Sequence, residues 1–514
     1  MGFPALSVDN PLLIKELRSR MRGAKAYWLL FVYLTLLSLA VTLAYLTWWQ
    51  SGRYGDESFI VGRVFFQTLF CVQVGLVCLV APGLTAGCIT IEKEQRTYDL
   101  LAGSPMPAKS IVIGKLISAT SFVLLLTVCS LPLVSVSFLL GGVSPGEVLS
   151  AYLVLILTAF LYASIGLAWS SIARNTATAT IMTYLTVMAV FFHTVATLST
   201  ATTPGGHGFL AAVNPIGALI CGVSPERYYG FTMPAWVPSL ILNLLAGILL
   251  ATIAVRRFDS YATDDSPALR IMSLLLYSSA LFFVFGGISG LLNPRDTASL
   301  TEGIVIACWC VAISAVLAAI PVYATGEGAR GSLYGLLVRS WRNVLRPRVE
   351  SSFPFTILLV AIPTLLIPAG FLMSRTPFPA DLVPGFILAL LVALTACAAW
   401  ALIAIVVSRL LKSRWSALAV VYLIMGVCIL LPLTTMTTYP ETHGAPVPFN
   451  AFRLTLYLNP QMAAWNALSA DTSVIPDPSR SGVPFAPVTI LLYALIGSLA
   501  AVKLRHIPAE SSDP

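Results

Sequence analysis

Long apolar runs separated by short polar segments dominate this chain. A helix needs about 20 predominantly apolar residues to cross the hydrocarbon of a bilayer, and twelve runs approach or exceed that length. The predicted spans are Ala26–Trp49, Val64–Ile91, Ile111–Leu140, Val148–Ala173, Thr176–Leu198, Trp236–Val255, Ile271–Leu292, Gly303–Tyr323, Phe355–Met373, Leu382–Val407, Ser416–Leu433 and Ala486–Val502. The pattern therefore predicts an all-α fold, a polytopic integral membrane helical bundle of about 12 transmembrane helices.

The positions of lysine and arginine give these spans an orientation, because cytoplasmic loops of membrane proteins carry an excess of basic residues. With the N-terminus inside and the spans alternating, 23 of the 30 basic residues fall in inner segments and 7 in outer ones. We therefore expect both the N-terminus and the C-terminus to be cytoplasmic.

The composition excludes several other classes of protein. Hydrophobic residues make up 57% of the 514 residues, charged residues make up 10%, and the mean hydropathy is +0.87. A soluble domain carries roughly 25% charged residues, so a soluble enzyme and a disordered protein are both excluded. The net charge of +8 is explained by the basic inner segments, and we expect no nucleic acid partner.

The twelve spans divide into two halves of six, with a boundary in the inner segment Arg256–Arg270. This predicts an amphipathic helix at 1–25, a first six-helix half at 26–262 and a second six-helix half at 263–514. Each half has a basic inner corner before its fifth span and a long outer loop with an Asn-Pro dipeptide before its last. The recurrence favours a weak parallel repeat, as in transporters whose two halves share one chain; the alternative is coincidence among hydrophobic segments.

A helical pattern precedes the first span. Pro11 suits the first position of a helix, and Leu13, Leu17 and Met21 recur on one face. The basic residues on the opposite face are Lys15, Arg18, Arg22 and Lys25. This predicts an amphipathic helix on the inner leaflet, with its basic face against anionic headgroups; the alternative is a generic positive anchor.

The inner loop between the second and third spans holds five charges within eight residues of an otherwise charge-poor chain. Glu92 and Arg96 have the i, i+4 spacing that lets side chains pair on a helix, and Gly103 and Pro105 would end it. A short charged helix at 92–103 is therefore predicted to protrude from the membrane and dock against a soluble partner; the alternative is a solvated loop. The residues expected to serve this contact are Glu92, Glu94, Arg96, Thr97, Tyr98, Asp99, Leu100 and Leu101.

The charged run, the Asn10-Pro11 start of the first helix and the Gly114-Lys115 pair that opens the third span together resemble the permease subunit of ABC transporters of type 2. The resemblance covers residues 9–257, and Arg96 stands where that family commonly has glycine. It implies that the charged run is a coupling helix seated in a cleft of an ATPase subunit, and that the N-terminal helix is the elbow helix. The inner loop of the second half, 324–352, lacks the Glu-x-Glu pattern and matches less well.

Lys115 is the only charged residue within the twelve runs. An ion-driven carrier generally needs ionisable groups near the midplane of the bilayer, whereas a permease driven by an ATPase does not. Together with the resemblance, this scarcity of charge predicts the permease subunit of an ATP-driven ABC transporter that works by alternating access; that it is an exporter is implied by the resemblance alone. The alternatives are an ion-coupled secondary carrier with twelve spans and a non-transporting scaffold or assembly protein.

No credible ATPase motif accompanies these features, since Gly103–Ser110 departs from a phosphate loop by its two prolines. We therefore expect no enzyme activity, no catalytic or metal site and no cofactor on this chain, with ATP and Mg bound by a separate ABC ATPase at the cytoplasmic face. The other expected partners are the lipid bilayer and, if the second half is not a true permease half, a second permease chain. The expected location is the plasma (cytoplasmic) membrane.

Overall fold

The structure, a computed structural model, describes residues 11–22, 24–50, 58–201, 218, 225–229, 231–234, 236–258, 267–290, 298–324, 344–346, 351–373, 382–411, 416–426, 428, 459–468 and 485–506. Within these residues it is helical apart from two short strands and the turns between elements. The chain divides into two compact units. Unit 1 comprises Met1–Arg227 with Thr232–Ala262, and unit 2 comprises Tyr228–Phe231 with Thr263–Pro514.

Ten helices are described up to the end of unit 1. They are α1 (Pro11–Met21), α2 (Ala24–Gln50), α3 (Ser58–Ala86), α4 (Thr90–Glu94), α5 (Tyr98–Ala102), α6 (Ala108–Cys129), α7 (Leu131–Leu140), α8 (Pro145–Ile172), α9 (Thr176–Ala201) and α10 (Trp236–Phe258). The strands β1 (Pro225–Tyr228) and β2 (Phe231–Pro234) pair in a two-stranded sheet. Seven further helices follow in unit 2, namely α11 (Ala268–Gly290), α12 (Ala298–Ala324), α13 (Ser352–Met373), α14 (Val383–Leu411), α15 (Ser416–Gly426), α16 (Pro460–Leu468) and α17 (Phe485–His506).

Nine helical stretches among the described residues are long and apolar enough to cross a membrane. Three shorter apolar helices lie at Thr176–Val190, Val311–Ala324 and Ser416–Gly426. Each of the twelve predicted runs falls on one of these stretches. The all-α, polytopic membrane fold is therefore confirmed, whereas the count of twelve spans and the cytoplasmic termini stay predictions.

Two of the predicted spans are interrupted helices: the second is divided between α3 and α4, and the third between α6 and α7. In the third, α6 ends at Cys129 and α7 begins at Leu131, with Pro132 in its first turn. Proline lacks the N–H that would bond to the preceding turn, so it starts a new helix more readily than it continues one. Ser130 at the junction donates its hydroxyl to the Thr127 carbonyl at 2.6 Å, which satisfies one carbonyl that the break leaves open.

The fourth span is the centre of each unit. In unit 1, α8 packs against α3 and α10; in unit 2, α14 packs against α12, α13 and α17.

A tyrosine hydrogen bond recurs in the two units: Tyr184 of α9 donates to the Leu79 carbonyl of α3, and Tyr422 of α15 donates to the Ala318 carbonyl of α12, each at 2.8 Å. The fifth span is thus bonded to the second in both units, which favours the interpretation of a parallel repeat.

Large apolar side chains cover much of the outer surface of unit 1. On α2, Tyr27, Trp28 and Phe31 are each more than half exposed, and similar residues project from α9. A contiguous apolar surface of this extent is unfavourable in water. It is the surface expected of helices that face lipid.

Gly166 of α8 allows close contact with α3. A Cβ atom added at Gly166 would meet the Thr85 side chain at less than van der Waals distance and would lie 2.7 Å from the Pro82 carbonyl oxygen. Because a backbone atom cannot swing aside as a flexible side chain can, the two helices would have to separate. The close packing of α8 against α3 therefore requires glycine at position 166.

We predict that Gly166→Ala lowers the free energy of unfolding by about 1–3 kcal/mol, the usual cost of overpacking a core. Thermal unfolding of the purified protein in detergent measures the loss. Gly75→Ala on α3 is the matched control, since its new methyl group would have no heavy atom within 4 Å and alanine favours a helix over glycine. Equal destabilisation by the two substitutions would contradict the close approach of α8 and α3.

Candidate functional site

The charged loop between the second and third spans folds as two short helices. We call residues 90–105 the charged segment; it contains α4, a turn at 95–97, α5 and the residues that follow it. The prediction of one helix over 92–103 is wrong, and the Glu92–Arg96 pair that it implied does not form. Glu92 instead lies 3.6 Å from Lys115 and accepts the Thr97 hydroxyl at 2.5 Å. The end of the helix at Gly103 is as predicted.

Arg96 is the reason for the break. Its φ angle of 57° lies in the left-handed region, which costs a residue with a Cβ atom roughly 1–2 kcal/mol and glycine almost nothing. This conformation ends α4 and lets the Thr97 amide donate to the Glu92 carbonyl at 2.9 Å. The resemblance to a pattern with glycine at this position thus acquires a physical explanation.

Adjacent charges hold the charged segment on the corner between α8 and α9. The Lys93 ammonium donates to the carbonyls of Ser171 at 2.8 Å and Ala173 at 2.9 Å, at the C-terminal end of α8. The Glu94 carboxylate accepts the Thr176 amide at 2.7 Å, at the N-terminal end of α9. A cation at a helix C-terminus and an anion at a helix N-terminus are both favoured by the helix dipole. The two residues therefore fasten the segment to two helix ends at once.

Uncharged side chains add two further attachments. The Ser170 hydroxyl of α8 accepts the amides of Ile89 and Thr90 at 2.9 and 3.2 Å, where α3 gives way to α4. The Tyr98 ring packs against Phe258 at the end of α10, with 5.2 Å between ring centroids, and its hydroxyl donates to the Phe258 carbonyl at 3.0 Å. The segment is consequently connected to three helices that pack together in unit 1.

The predicted contact residues therefore divide into two groups. Tyr98 and Leu101 pack against the hydrophobic core of unit 1, and Glu92 and Thr97 bond to each other. Leu100 is 77% exposed, a high value for a leucine. The exposed residues of the turn and of α5, which we call the exposed face of the charged segment, are Gln95, Arg96, Asp99 and Leu100; Ile91 and Glu94 of α4 are also exposed.

Four charges, of which Lys115 is buried and the other three are partly buried, form a group beside α6. The Lys115 ammonium of α6 is 3.2 Å from a Glu16 carboxylate oxygen of α1 and 3.6 Å from a Glu92 carboxylate oxygen. Arg20 of α1 lies 3.9 Å from Glu16 and donates to the Leu84 carbonyl of α3 at 3.2 Å. Two cations and two anions thus balance one another in the group. Sequence reasoning missed it, although the i, i+4 spacing of Glu16 and Arg20 and the isolated charge of Lys115 were visible signals.

The N-terminal helix α1 exposes basic side chains, but Met21 of the predicted apolar face is exposed as well. Lys15, Arg18 and Arg22 are exposed, while Glu16 and Arg20 turn towards α6 and α3. The side chains of Leu13 and Lys25, and residue Asn10 altogether, lie outside the described residues. The assignment of the exposed basic side chains to a membrane surface stays a prediction.

Within the residues that the structure describes, no group of three or more His, Cys, Asp and Glu side chains could hold a metal ion. The contacts described at this end of unit 1 are charge pairs, hydrogen bonds and apolar contacts.

We predict that Arg96→Gly leaves the charged segment intact or slows its amide hydrogen exchange, because glycine removes the cost of the left-handed backbone. Gln95→Gly is the matched control: Gln95 has a right-handed φ of −81°, so glycine there only adds backbone freedom and should speed exchange at the Thr97 amide. Faster exchange in Arg96→Gly than in Gln95→Gly would contradict the assigned turn.

Comparison with known families supplies an independent assignment. The family model described as ABC-2 family transporter protein matches residues 11–289, from α1 through almost the whole of α11. The match covers more than half of the 514 residues, and no curated protein matches the chain. The apolar helices and this match agree on a multi-pass integral membrane protein of the transporter type. The chain belongs to the ABC-2 family of transporter proteins, as a membrane permease.

Proposed function

We propose that this permease is the membrane subunit of an ATP-driven ABC exporter and that a separate ABC ATPase docks on the exposed face of the charged segment. ATP and Mg bind to that ATPase and not to this chain. The partner's closure on ATP pushes the segment, and the membrane helices respond by alternating access at the plasma membrane. The charged segment then lies on the cytoplasmic side, as the distribution of basic residues predicts.

The observation that carries the proposal is that one side of the charged segment is hydrogen-bonded to helix ends while the other side is exposed. Lys93, Glu94 and Tyr98 attach it to the ends of α8, α9 and α10. A force applied to such a segment moves helix ends, whereas a solvated loop would only bend. Leu100, with flanking polar side chains, supplies the apolar contact that a soluble partner can bury.

The exposed basic side chains of α1 fit the second expected partner, the bilayer. Lys15, Arg18 and Arg22 would meet anionic headgroups on the inner leaflet, where each basic residue contributes about 1 kcal/mol of attraction. The apolar Ile14 and Met21 are also exposed on this helix, at 47% and 43%, as in helices that lie in a membrane interface.

We predict that Leu100→Ala weakens binding of the proposed ABC ATPase partner roughly tenfold, because the buried part of a leucine is worth about 1.5–3 kcal/mol. Affinity is measured with the purified permease in nanodiscs and the purified ATPase, together with stimulation of ATP hydrolysis. Leu139→Ala is the matched control, since Leu139 is 87% exposed at the other end of the α6–α7 span.

The result separates the competing functions. Unchanged binding and stimulation in Leu100→Ala would contradict docking on the exposed face. Transport in vesicles driven by an ion gradient without any ATPase would instead establish a secondary carrier. Normal association with the ATPase, but with no effect on its hydrolysis in the wild type, would favour a scaffold.

A further inference from the structure

Lys115 has an unusual position for a charged side chain. It lies two turns into α6, one of the membrane-spanning stretches, and is only 3% exposed. An ammonium group taken out of water is costly unless it is paired and hydrogen-bonded. Its two partners, Glu16 and Glu92, explain how the charge is tolerated but not why this position carries a charge at all.

The two partners of Lys115 belong to elements that are far apart in the sequence. Glu16 is on α1, which packs along α6, and Glu92 is on the charged segment. The Lys115 ammonium bridges them at 3.2 and 3.6 Å. The helix that carries the exposed basic residues and the segment that carries the exposed leucine are thereby joined through one nitrogen atom.

Arg20 provides a second connection between α1 and the chain that leads into the charged segment. Its guanidinium donates to the Leu84 carbonyl at 3.2 Å and to the Cys88 sulfur at 3.1 Å, both just before the charged segment begins. Helix α1 is therefore bonded to the last turn of α3 and to the turn that follows it, as well as to α6. A displacement of the charged segment would pull on α1 from both sides.

We propose that Lys115 is a positioning residue that makes α1, α6 and the charged segment move as one body when the ATPase acts. The inference rests on the proposed function and adds a role for the N-terminal helix: it follows the charged segment instead of remaining fixed in the membrane surface. Lys115 holds Glu92 and Glu16 in place by charge, so the link depends on the ammonium group and not on the bulk of the side chain.

The test compares Lys115→Met, which keeps the length of the side chain and removes the charge, with Lys115→Arg, which keeps the charge. Lys109→Met is the matched control, because Lys109 is an exposed lysine six residues earlier on the same helix. Glu92→Gln is a milder variant that leaves Lys115 paired with Glu16, in case Lys115→Met fails to fold. All are assayed in nanodiscs with the ATPase and a non-hydrolysable ATP analogue.

Two readouts are needed, since a purely structural lysine would alter stability alone. In the wild type, the nucleotide-bound ATPase should change hydrogen exchange in both the charged segment and α1. In Lys115→Met the change should persist in the segment and disappear from α1, and stimulation of ATP hydrolysis should fall roughly tenfold, a magnitude typical of coupling between two sites. Binding of the ATPase should stay within about twofold of the wild type, and Lys115→Arg should restore both readouts.

The outcomes distinguish this inference from the proposed function. If the wild type does not bind the ATPase, both are overturned. If it binds and stimulates the ATPase but Lys115→Met and Glu92→Gln behave like Lys109→Met, docking stands and the link through Lys115 is wrong. A loss of thermal stability in Lys115→Met with an unchanged exchange response in α1 would also overturn the link, because it assigns Lys115 a structural role only.

Discussion

Charge removed from water must be paired, and this requirement organises the end of unit 1 where α1, the charged segment and the ends of α8, α9 and α10 meet. Each charged residue there that points inwards finds either an opposite charge or a helix end. Lys93 and Glu94 use the partial charges of two helix termini, and Lys115 uses two carboxylates. Leaving the 3%-exposed Lys115 ammonium unpaired would be costly, so its pairs with Glu92 and Glu16 favour the observed position of the charged segment beside α1 and α6.

The sequence predicted the elements well and the contacts poorly, for a physical reason. Apolar runs long enough to span a bilayer identify helices, because a helix satisfies all its backbone hydrogen bonds within one such segment. The break at Arg96 depended on a single backbone angle, which has a weak signal when the residue is not glycine. The partners of Lys115 lie 99 and 23 positions away, and no local spacing shows which distant carboxylate an isolated lysine will meet.

The two units share a tyrosine hydrogen bond between spans but hold their buried cations with different partners. Each bonds its fifth span to its second through a tyrosine hydroxyl and a backbone carbonyl. In unit 2 the buried Arg270 donates to the carbonyls of Val344 and Ser351 and lies over the Phe355 ring, so backbone oxygens and an aromatic face contribute where unit 1 uses carboxylates. A shared scaffold with a different polar end is what a diverged repeat would produce.

Arg96 carries a consequence for the choice among related ATPases. Glycine would adopt the left-handed backbone there at almost no cost, whereas arginine does so at roughly 1–2 kcal/mol and places a permanent positive charge on the exposed face. An ATPase with an acidic side chain opposite would gain from that charge, and one with a basic side chain would be repelled. Under the proposed docking, Arg96 would thus favour an ATPase with an acidic surface at this point, at the expense of some stability of the turn.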